Sequence, residues 1–222
     1  MRVELFNGRY QDTLAAVSCD AVITDPPYGA RVHAGHNAGR PQIAAVTGQG
    51  TATSLTYASW TADDVYEFVV FWSARCSGWI AAFTSDDLID AYRDAYRRCG
   101  MYSFAPVGVV QKVPRLLGDG PSSWLRYLMV ARPRTKTAMK WRCTPGLYMA
   151  KTVRGAPIAG TKPVETMAEL VRDYSNPGDT IVDPCAGWGS TLIAAATTGR
   201  RAIGSEVHEP TFEAAKQRLT TG

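Results

Sequence analysis

The sequence lacks the features of a membrane-spanning, disulfide-bonded or fibrous protein. No apolar run in its 222 residues approaches the roughly 20 residues needed to cross a bilayer. The N-terminal stretch carries an acid, Glu4, where a secretory signal peptide would be apolar. The five cysteines are odd in number, widely separated and never spaced as CxxC, which argues against a disulfide framework or a structural zinc site. We therefore expect a cytoplasmic protein with reduced thiols and no contact with membranes.

Histidine is also scarce, with three in the chain. His33 and His36 could form half of a metal site, but two ligands do not close a coordination sphere, so we predict no metal. Contact of their segment with a nucleic acid is the better interpretation. Hydrophobic residues make up 45% of the chain and charged residues 20%, which is typical of a globular domain. The length fits a single domain spanning residues 1–222.

Positive charge is concentrated in the middle of the chain. The segment 111–154 carries ten basic residues and one acid, a net charge of +9, and the +4 of the whole chain leaves −5 for the rest. Trp124, Tyr127, Trp141 and Tyr148 are interleaved with these cations and could stack on bases. A solvated loop would also be basic, but the asymmetry favours a nucleic-acid-binding face. The predicted DNA contacts are Lys112, Arg115, Arg132, Arg134, Lys136, Lys140 and Arg142.

Strands alternate with amphipathic helices along the chain, which predicts an α/β fold with a mostly parallel sheet. The predicted strands are 21–24, 79–83, 104–110, 124–131, 180–183 and 201–206, and the predicted helices are 61–75, 85–99, 164–174, 190–198 and about 210–219. Thr61 is expected to cap the first helix and Ser85 the second. Residues 29–56 are too long for an ordinary connection and predict a functional or disordered loop.

The C-terminal unit has the layout of a nucleotide-binding βαβ motif. Asp183 ends a strand, Gly187 and Gly189 form a turn, and a helix begins at Ser190. Glu206 closes the next strand 19 residues after Gly187, near the roughly 20 at which an acid meets ribose hydroxyls. Leu192 replaces the third glycine of G-x-G-x-x-G, so an ordinary dinucleotide fold is disfavoured.

A second motif, Asp25-Pro26-Pro27-Tyr28, follows the first buried strand. Such prolines can simply form a rigid strand exit. They can also hold a carboxylate and carbonyl oxygens that accept both hydrogens of an exocyclic amine, while Tyr28 offers a flat face to a planar base.

With these motifs in this order, the sequence resembles the S-adenosylmethionine-dependent DNA amino-methyltransferases that modify adenine N6 or cytosine N4, in the permuted order with DPPY before the cofactor motif. The motifs are Asp25 to Tyr28, Lys162-Pro163, Asp183 to Thr191 and Glu206, and they span nearly the whole chain. The resemblance implies a three-layer αβα Rossmann-like fold whose mostly parallel sheet has one antiparallel strand near an edge. It divides the domain into a catalytic half (1–110), a basic DNA-contacting region (111–160) and a cofactor-binding half (161–222).

The resemblance also implies roles for individual residues. Asp25 and the Pro26 carbonyl would hold the target amine within the rigid corner that includes Pro27, and Tyr28 would stack on a base flipped out of double-stranded DNA. The predicted cofactor-binding residues are Thr161, Lys162, Pro163, Asp183, Pro184, Cys185, Ala186, Gly187, Gly189, Ser190, Thr191 and Glu206. Asp at position 25 favours adenine N6. A homodimer, common in the family, is a further expectation.

Three positions depart from the family pattern. Cys185 and Trp188 replace Phe and Ser in the glycine loop, and Arg9 follows Gly8 where an acid usually contacts the adenine of the cofactor. Asn7 or Asp12 could substitute for that acid. The alternatives are therefore a cytosine-N4 DNA methyltransferase, or a degenerate DNA-binding module of the same fold with weak or no catalysis. Methylation of RNA or of a protein amide is a further alternative, which Asp25 disfavours because related enzymes usually have Asn there.

Overall fold

The structure, a computed structural model, describes residues 3–32, 58–115, 121–134, 143–151 and 160–221, and at residues 113–115 it describes the backbone alone. Within these ranges nine strands form one sheet in the spatial order β1-β9-β8-β2-β3-β6-β5-β7, with β4 also pairing with β6. The strands are β1 (Val3–Asn7), β2 (Cys19–Thr24), β3 (Cys76–Thr84), β4 (Met101–Ser103), β5 (Val107–Arg115), β6 (Ser123–Pro133), β7 (Leu147–Met149), β8 (Thr180–Asp183) and β9 (Arg201–Glu206).

Six helices accompany the described strands. They are α1 (Tyr10–Thr13), α2 (Ala62–Ser73), α3 (Ile89–Arg98), α4 (Val164–Tyr174), α5 (Ser190–Thr197) and α6 (Glu209–Thr221), with a 3₁₀ turn at Asp86–Leu88 before α3. No helix among the described residues has both the length and the apolar character of a membrane span.

The central strands are buried on both faces, which is why their sequences read as apolar runs. In β2, Ala21 and Ile23 pack into one hydrophobic cluster with residues of α4 and α5, such as Leu170 and Leu192. Val22 points the other way, into a cluster with residues of α2 and α3. The sheet thus lies between two helical layers, and the predicted αβα architecture is confirmed.

Local sequence signals explain several boundaries. Thr61 caps α2 through a capping box, in which its hydroxyl accepts from the Asp64 N–H and Asp64 accepts from the Thr61 N–H. Pro163 is the N-cap of α4, and the turn before β8 uses Gly178 at φ +88°. Phe104 is not in a strand as predicted, because Pro106 cannot donate to a sheet ladder and β5 begins after it.

Among the described strands, β6 runs against all the others. Its Tyr127 pairs with Thr84, at the carboxyl end of β3, and its Ala131 pairs with Ile80, near the middle of β3. The five residue-to-residue steps from Tyr127 to Arg132 span about 16 Å along the strand. One end of β6 therefore lies at the carboxyl ends of the parallel strands, and the other end lies at their amino ends.

Candidate active site

The parallel strands β2, β8 and β9 end at one edge of the sheet, and β2 pairs directly with β8. This pairing brings Asp25, which follows β2, close to Asp183, the last residue of β8. A cavity of about 500 Å³ opens at this edge. It is lined by Asp25 to Tyr28, by Gly160 to Lys162, by Asp183 to Trp188 with Ser190 and Thr191, and by Glu206 to His208. The two motifs that lie far apart in the sequence thus share one cavity.

The Asp25-Pro26-Pro27-Tyr28 corner is organised around the Asp25 carboxylate. The Tyr28 hydroxyl donates to Asp25 Oδ1 at 2.8 Å. Lys162 Nζ donates to Asp25 Oδ2, forming an ion pair in which the lysine side chain is only 12% exposed. Both carboxylate oxygens are therefore held in place by neighbouring side chains, and the carboxylate is oriented before any substrate arrives.

The chain after the corner is anchored to the end of β3. The Gly29 N–H donates to Ser85 Oγ at 3.1 Å, and the Trp60 N–H donates to the Tyr28 carbonyl at 3.0 Å. Ser85 was predicted to cap the following helix, but its side chain makes no capping hydrogen bond. A side chain at Gly29 would overlap the carboxylate of Asp87, with the added Cβ only 2.1 Å from Oδ2. A larger residue at position 29 would therefore require the exposed Asp87 side chain to move.

Asp183 is almost completely buried at the floor of the cavity, with 2% of its surface exposed. Its Oδ1 accepts from the Thr24 hydroxyl at 2.7 Å and from the Cys185 N–H at 3.1 Å. Burial raises the pKa of Asp183 to about 6, although hydrogen bonds from Thr191, Thr24 and Cys185 oppose the shift. Asp183 is therefore a buried acid that titrates near neutrality.

Glu206 connects the glycine loop with the end of β9. Its Oε2 accepts from the Gly187 N–H at 2.9 Å, and its Oε1 accepts from the His208 N–H at 2.9 Å. Gly187 has φ +52°, a left-handed conformation that favours glycine. The carboxylate is thereby fixed at the cavity wall, with lone pairs remaining for a ligand that carries hydroxyl groups.

The unusual loop residue Trp188 packs against the last helix. The guanidinium of Arg218 lies 3.8 Å from the centroid of the Trp188 ring, and its Nη1 donates to the Trp188 carbonyl at 2.9 Å. The Cys185 thiol lines the cavity as well, and burial raises its pKa, so it stays protonated. The substituted residues are accommodated without closing the cavity.

The structure brings most of the predicted catalytic and cofactor-binding residues to the cavity. The exceptions are Pro163 and Gly189, which are the N-caps of α4 and α5 and do not line it. Lys162 lies on the catalytic corner as well as among the predicted cofactor contacts. Cavity-lining residues that sequence reasoning missed are Tyr10, Gln11, Ala58, Ser59, Trp60, Asp64, Glu67, Val207, His208 and Thr211.

The end of β1 contributes Gly8 and Arg9 to the cavity. Asn7 and Asp12, the expected substitutes for the acid that Arg9 replaces, are not among the lining residues. The Asn7 amide instead donates to the Glu206 carbonyl at 3.0 Å. The structure therefore places neither residue at the cavity, and a contact of either with the cofactor stays a prediction.

The predicted DNA-contacting cations separate into three groups. Lys112 lies in the half of β5 that leads to the cavity edge, where the backbone of Arg115 pairs with Ser123. Arg132 and Arg134 lie at the opposite edge, where the Arg132 guanidinium packs over the rings of Trp79, Tyr102 and Phe104, and that of Arg134 over Tyr102. Lys136, Lys140 and Arg142, together with His33 and His36, lie outside the described residues.

One cation of the basic stretch reaches the catalytic corner although it was not among the predicted contacts. The Arg126 guanidinium, on β6, lies 5.9 Å from the centroid of the Tyr28 ring. The antiparallel direction of β6 places it there, a feature that the local sequence does not reveal.

This sheet order, with a proline corner and a glycine loop at one edge, is that of a Rossmann-like αβα fold. In agreement, the structure resembles that of the M1.HpyAVI–SAM complex, with a TM-score of 0.69 and 17% identity, covering 98% of this chain and 99% of that one. It also resembles the PvuII DNA methyltransferase, which is cytosine-N4-specific, with a TM-score of 0.68 and 11% identity over 99% of this chain and 86% of that one. These similarities show the fold.

Sequence comparison finds similar proteins over part of the chain. Residues 132–217 match the model of the N6/N4 methyltransferases, described as DNA methylase. The chain is 43% identical over 58 residues to the YubD protein of Escherichia coli (strain K12), a match that covers 26% of each chain. It is also 45% identical over 49 residues to the type II methyltransferase M.MthZI of Methanothermobacter thermautotrophicus. These two matches span 26% and 14% of the curated relatives' own lengths. Over its C-terminal part the chain is thus similar to the N6/N4 DNA methylases.

Proposed function

We propose that this protein is a DNA adenine-N6 methyltransferase that transfers a methyl group from S-adenosylmethionine to a flipped adenine in double-stranded DNA. The observation that carries the proposal is the shared cavity, in which the Asp25 corner and the Asp183 to Thr191 loop face one space of about 500 Å³. A methyl transfer between two bound molecules needs an amine site and a cofactor site in contact, and positioning supplies most of the rate.

The residues of the cavity fit S-adenosylmethionine. The fixed carboxylate of Glu206 offers acceptors for the two ribose hydroxyls, and the buried Asp183 offers a negative charge for the amino group of the methionine part. Gly187, in its left-handed conformation, leaves space where a side chain would stand, since an added Cβ meets no atom closer than 4.0 Å. The bound cofactor supplies the electrophilic methyl group, and the cavity volume lies within the range of pockets for ligands of this size.

The catalytic corner orients the target amine. The oriented carboxylate of Asp25 and the carbonyl of Pro26 accept the two amine hydrogens, which directs the nitrogen lone pair away from them and towards the cofactor part of the cavity. The Tyr28 ring, held through its hydroxyl, supplies the stacking face for the flipped base. In the family that the sequence resembles, Asp at the position of Asp25 favours adenine over cytosine as the target base.

Double-stranded DNA is the proposed partner. Arg9, at the cavity, and Arg126, beside Tyr28, place positive charge around the site of the flipped base. Lys112 extends this charge along the same edge of the sheet. Such cations bind phosphates without regard to sequence. We place Arg132 and Arg134 outside this proposed DNA face because of their position at the opposite edge.

The test is to incubate the purified protein with double-stranded DNA and methyl-labelled S-adenosylmethionine, then to digest the DNA to nucleosides. We expect label in N6-methyladenine. Label only in N4-methylcytosine would establish the alternative specificity, which is that of the structurally similar PvuII enzyme. Cofactor binding without label in any nucleoside would favour a DNA-binding module without catalysis.

The Asp25→Ala variant separates catalysis from cofactor binding. We expect loss of methyl transfer with cofactor affinity largely retained, because Asp25 acts on the amine. The matched control is Asp63→Ala, which removes an exposed acid of α2 that does not line the cavity and should leave the rate unchanged. Loss of cofactor binding in Asp25→Ala would assign the residue a structural role.

The homodimer remains a prediction, and light scattering checks it.

A further inference from the structure

The side chain of Lys162 reaches the catalytic corner from the segment before α4, 137 residues away from Asp25 in the sequence. Its Nζ donates to Asp25 Oδ2 and to the Gly160 carbonyl at 3.3 Å. It lies 4.9 Å from the centroid of the Phe83 ring and 5.4 Å from that of Tyr28. The nitrogen is thus enclosed by a carboxylate, a carbonyl and two aromatic faces, next to the place where the target amine would bind.

Opposing charges surround this nitrogen. Asp25 and Asp183 favour the ammonium form, whereas Arg126, approaching from β6, disfavours it. Burial lowers the pKa of Lys162 below its ordinary value, and Asp25 is the strongest group that opposes this effect. Tyr28, another titratable neighbour, donates to the other oxygen of Asp25. A further positive charge in the cavity would therefore shift the balance towards the neutral amine.

On the basis of the proposed methyl transfer, we infer that Lys162 acts through Asp25 as the final acceptor of the proton that the target amine releases. In the resting protein Lys162 is an ammonium paired with Asp25. The cavity must also take up the sulfonium charge, so Lys162 gives up its proton to solvent when the cofactor binds. The neutral Nζ is then ready to receive a proton from the corner.

The step balances as follows. The amine nitrogen uses its lone pair to form the N–C bond while the C–S bond breaks, and the electron pair of that bond stays on sulfur. The methylated nitrogen then carries the positive charge and one hydrogen too many. That proton leaves along the hydrogen bond to Asp25 and comes to rest on Lys162 Nζ, which restores the resting ion pair. No further reactant is required.

Calorimetry tests the inference by measuring the number of protons that the protein releases when a ligand binds. Titrations in buffers of different ionisation enthalpy give the protons released on binding S-adenosylmethionine and its product S-adenosylhomocysteine, which lacks the sulfonium charge. We expect release of up to about one proton with S-adenosylmethionine and much less with S-adenosylhomocysteine. Equal counts for the two ligands would overturn the inference and leave the proposed function standing. Absence of binding by S-adenosylmethionine would overturn both.

Two variants at position 162 and one control sharpen the test. Lys162→Met removes the titrating group, and Lys162→Arg keeps the charge but cannot lose its proton. We expect both to abolish the difference in proton release between the two ligands and to slow single-turnover methyl transfer at least about tenfold, with its dependence on pH lost. If Lys162→Met fails to fold, Lys162→Arg carries the test. The control is Lys216→Met, an exposed lysine of α6, which should behave as the wild type. If either folded variant shows the same difference in proton release between the two ligands as the wild type, the role of Lys162 is refuted.

Discussion

Replacing Asp183 by Asn should stabilise the protein while weakening its hold on the cofactor. Asp183 is buried and its pKa is raised from 3.8 to about 6, so its ionised form is disfavoured in the folded state. The difference between these two pKa values corresponds to about 3 kcal/mol of unfolding free energy lost once the group is ionised. Asn has the same shape as the protonated acid and carries no charge, so Asp183→Asn should recover most of this free energy.

The sign of the pH dependence follows from linkage. A carboxyl whose folded pKa lies above its unfolded pKa contributes most below the unfolded value, and that contribution is lost as the pH rises from 3.8 to about 6. The gain from Asp183→Asn should therefore be small at pH 4, about half complete at pH 5 and full above pH 7. The hydrogen bonds from Thr24 and Cys185 survive the change, since the Asn oxygen can still accept both.

Thermal melts of the ligand-free wild type and of Asp183→Asn across this pH range measure the effect. A gain of about 3 kcal/mol corresponds to a rise of several degrees in Tm at pH 7.5 for a chain of this size. Calorimetry should show weaker binding of S-adenosylmethionine, by about 10- to 100-fold, because a charge-assisted hydrogen bond is lost. A difference in stability that does not change with pH would refute the argument that burial of the charge is its source.

Two further variants test the cofactor loop. Gly204→Ala should cost roughly 1–3 kcal/mol of stability and weaken cofactor binding, because the new Cβ would lie 2.9 Å from a Leu192 methyl and 3.0 Å from the Ala186 methyl. Chemical denaturation measures the loss of stability. The neutral control is Gly146→Ala, whose new Cβ meets no atom within 4 Å. Arg218→Met should raise the Kd for the cofactor about tenfold, since it removes the donor to the Trp188 carbonyl. Unchanged affinity in Arg218→Met would show that the loop keeps its shape without the last helix.

The sequence predicts best the elements that carry their own boundary signals. Helix α4 begins after Pro163 and β8 begins after the Asn-Pro-Gly-Asp turn, and both have the predicted bounds. The three-residue strands β4 and β7 were missed because they carry no such signals. In β7 only Tyr148 is buried, and its pairing with β5 determines its conformation. Tertiary pairing, rather than local preference, creates these strands.

The sequence likewise predicted some contacts of the site and missed others. The spacing between Gly187 and Glu206 predicted that Glu206 would contact a ribose, and the structure places its carboxylate at the glycine loop, because both residues flank one βαβ unit. The ribose contact itself stays a prediction. The contact between Lys162 and Asp25 depends on the order of strands in the sheet, which residue spacing does not encode. The basic stretch was interpreted as one face, but β6 crosses the sheet, so Arg126 and Arg132 lie at opposite edges. Positive charge in a segment predicts a partner more reliably than it predicts which side chains touch it.

The pairing of β2 with β8 has a consequence for synthesis on the ribosome. Residues 21–24 of β2 are fully buried, yet one edge of this strand is completed only by residues 181 and 182, some 160 positions later. Until those residues emerge, the nascent chain presents an apolar strand with unpaired hydrogen-bonding groups, which invites aggregation. We therefore expect slow, late folding and a need for chaperones in translation, with fragments that end before β8 accumulating as insoluble material.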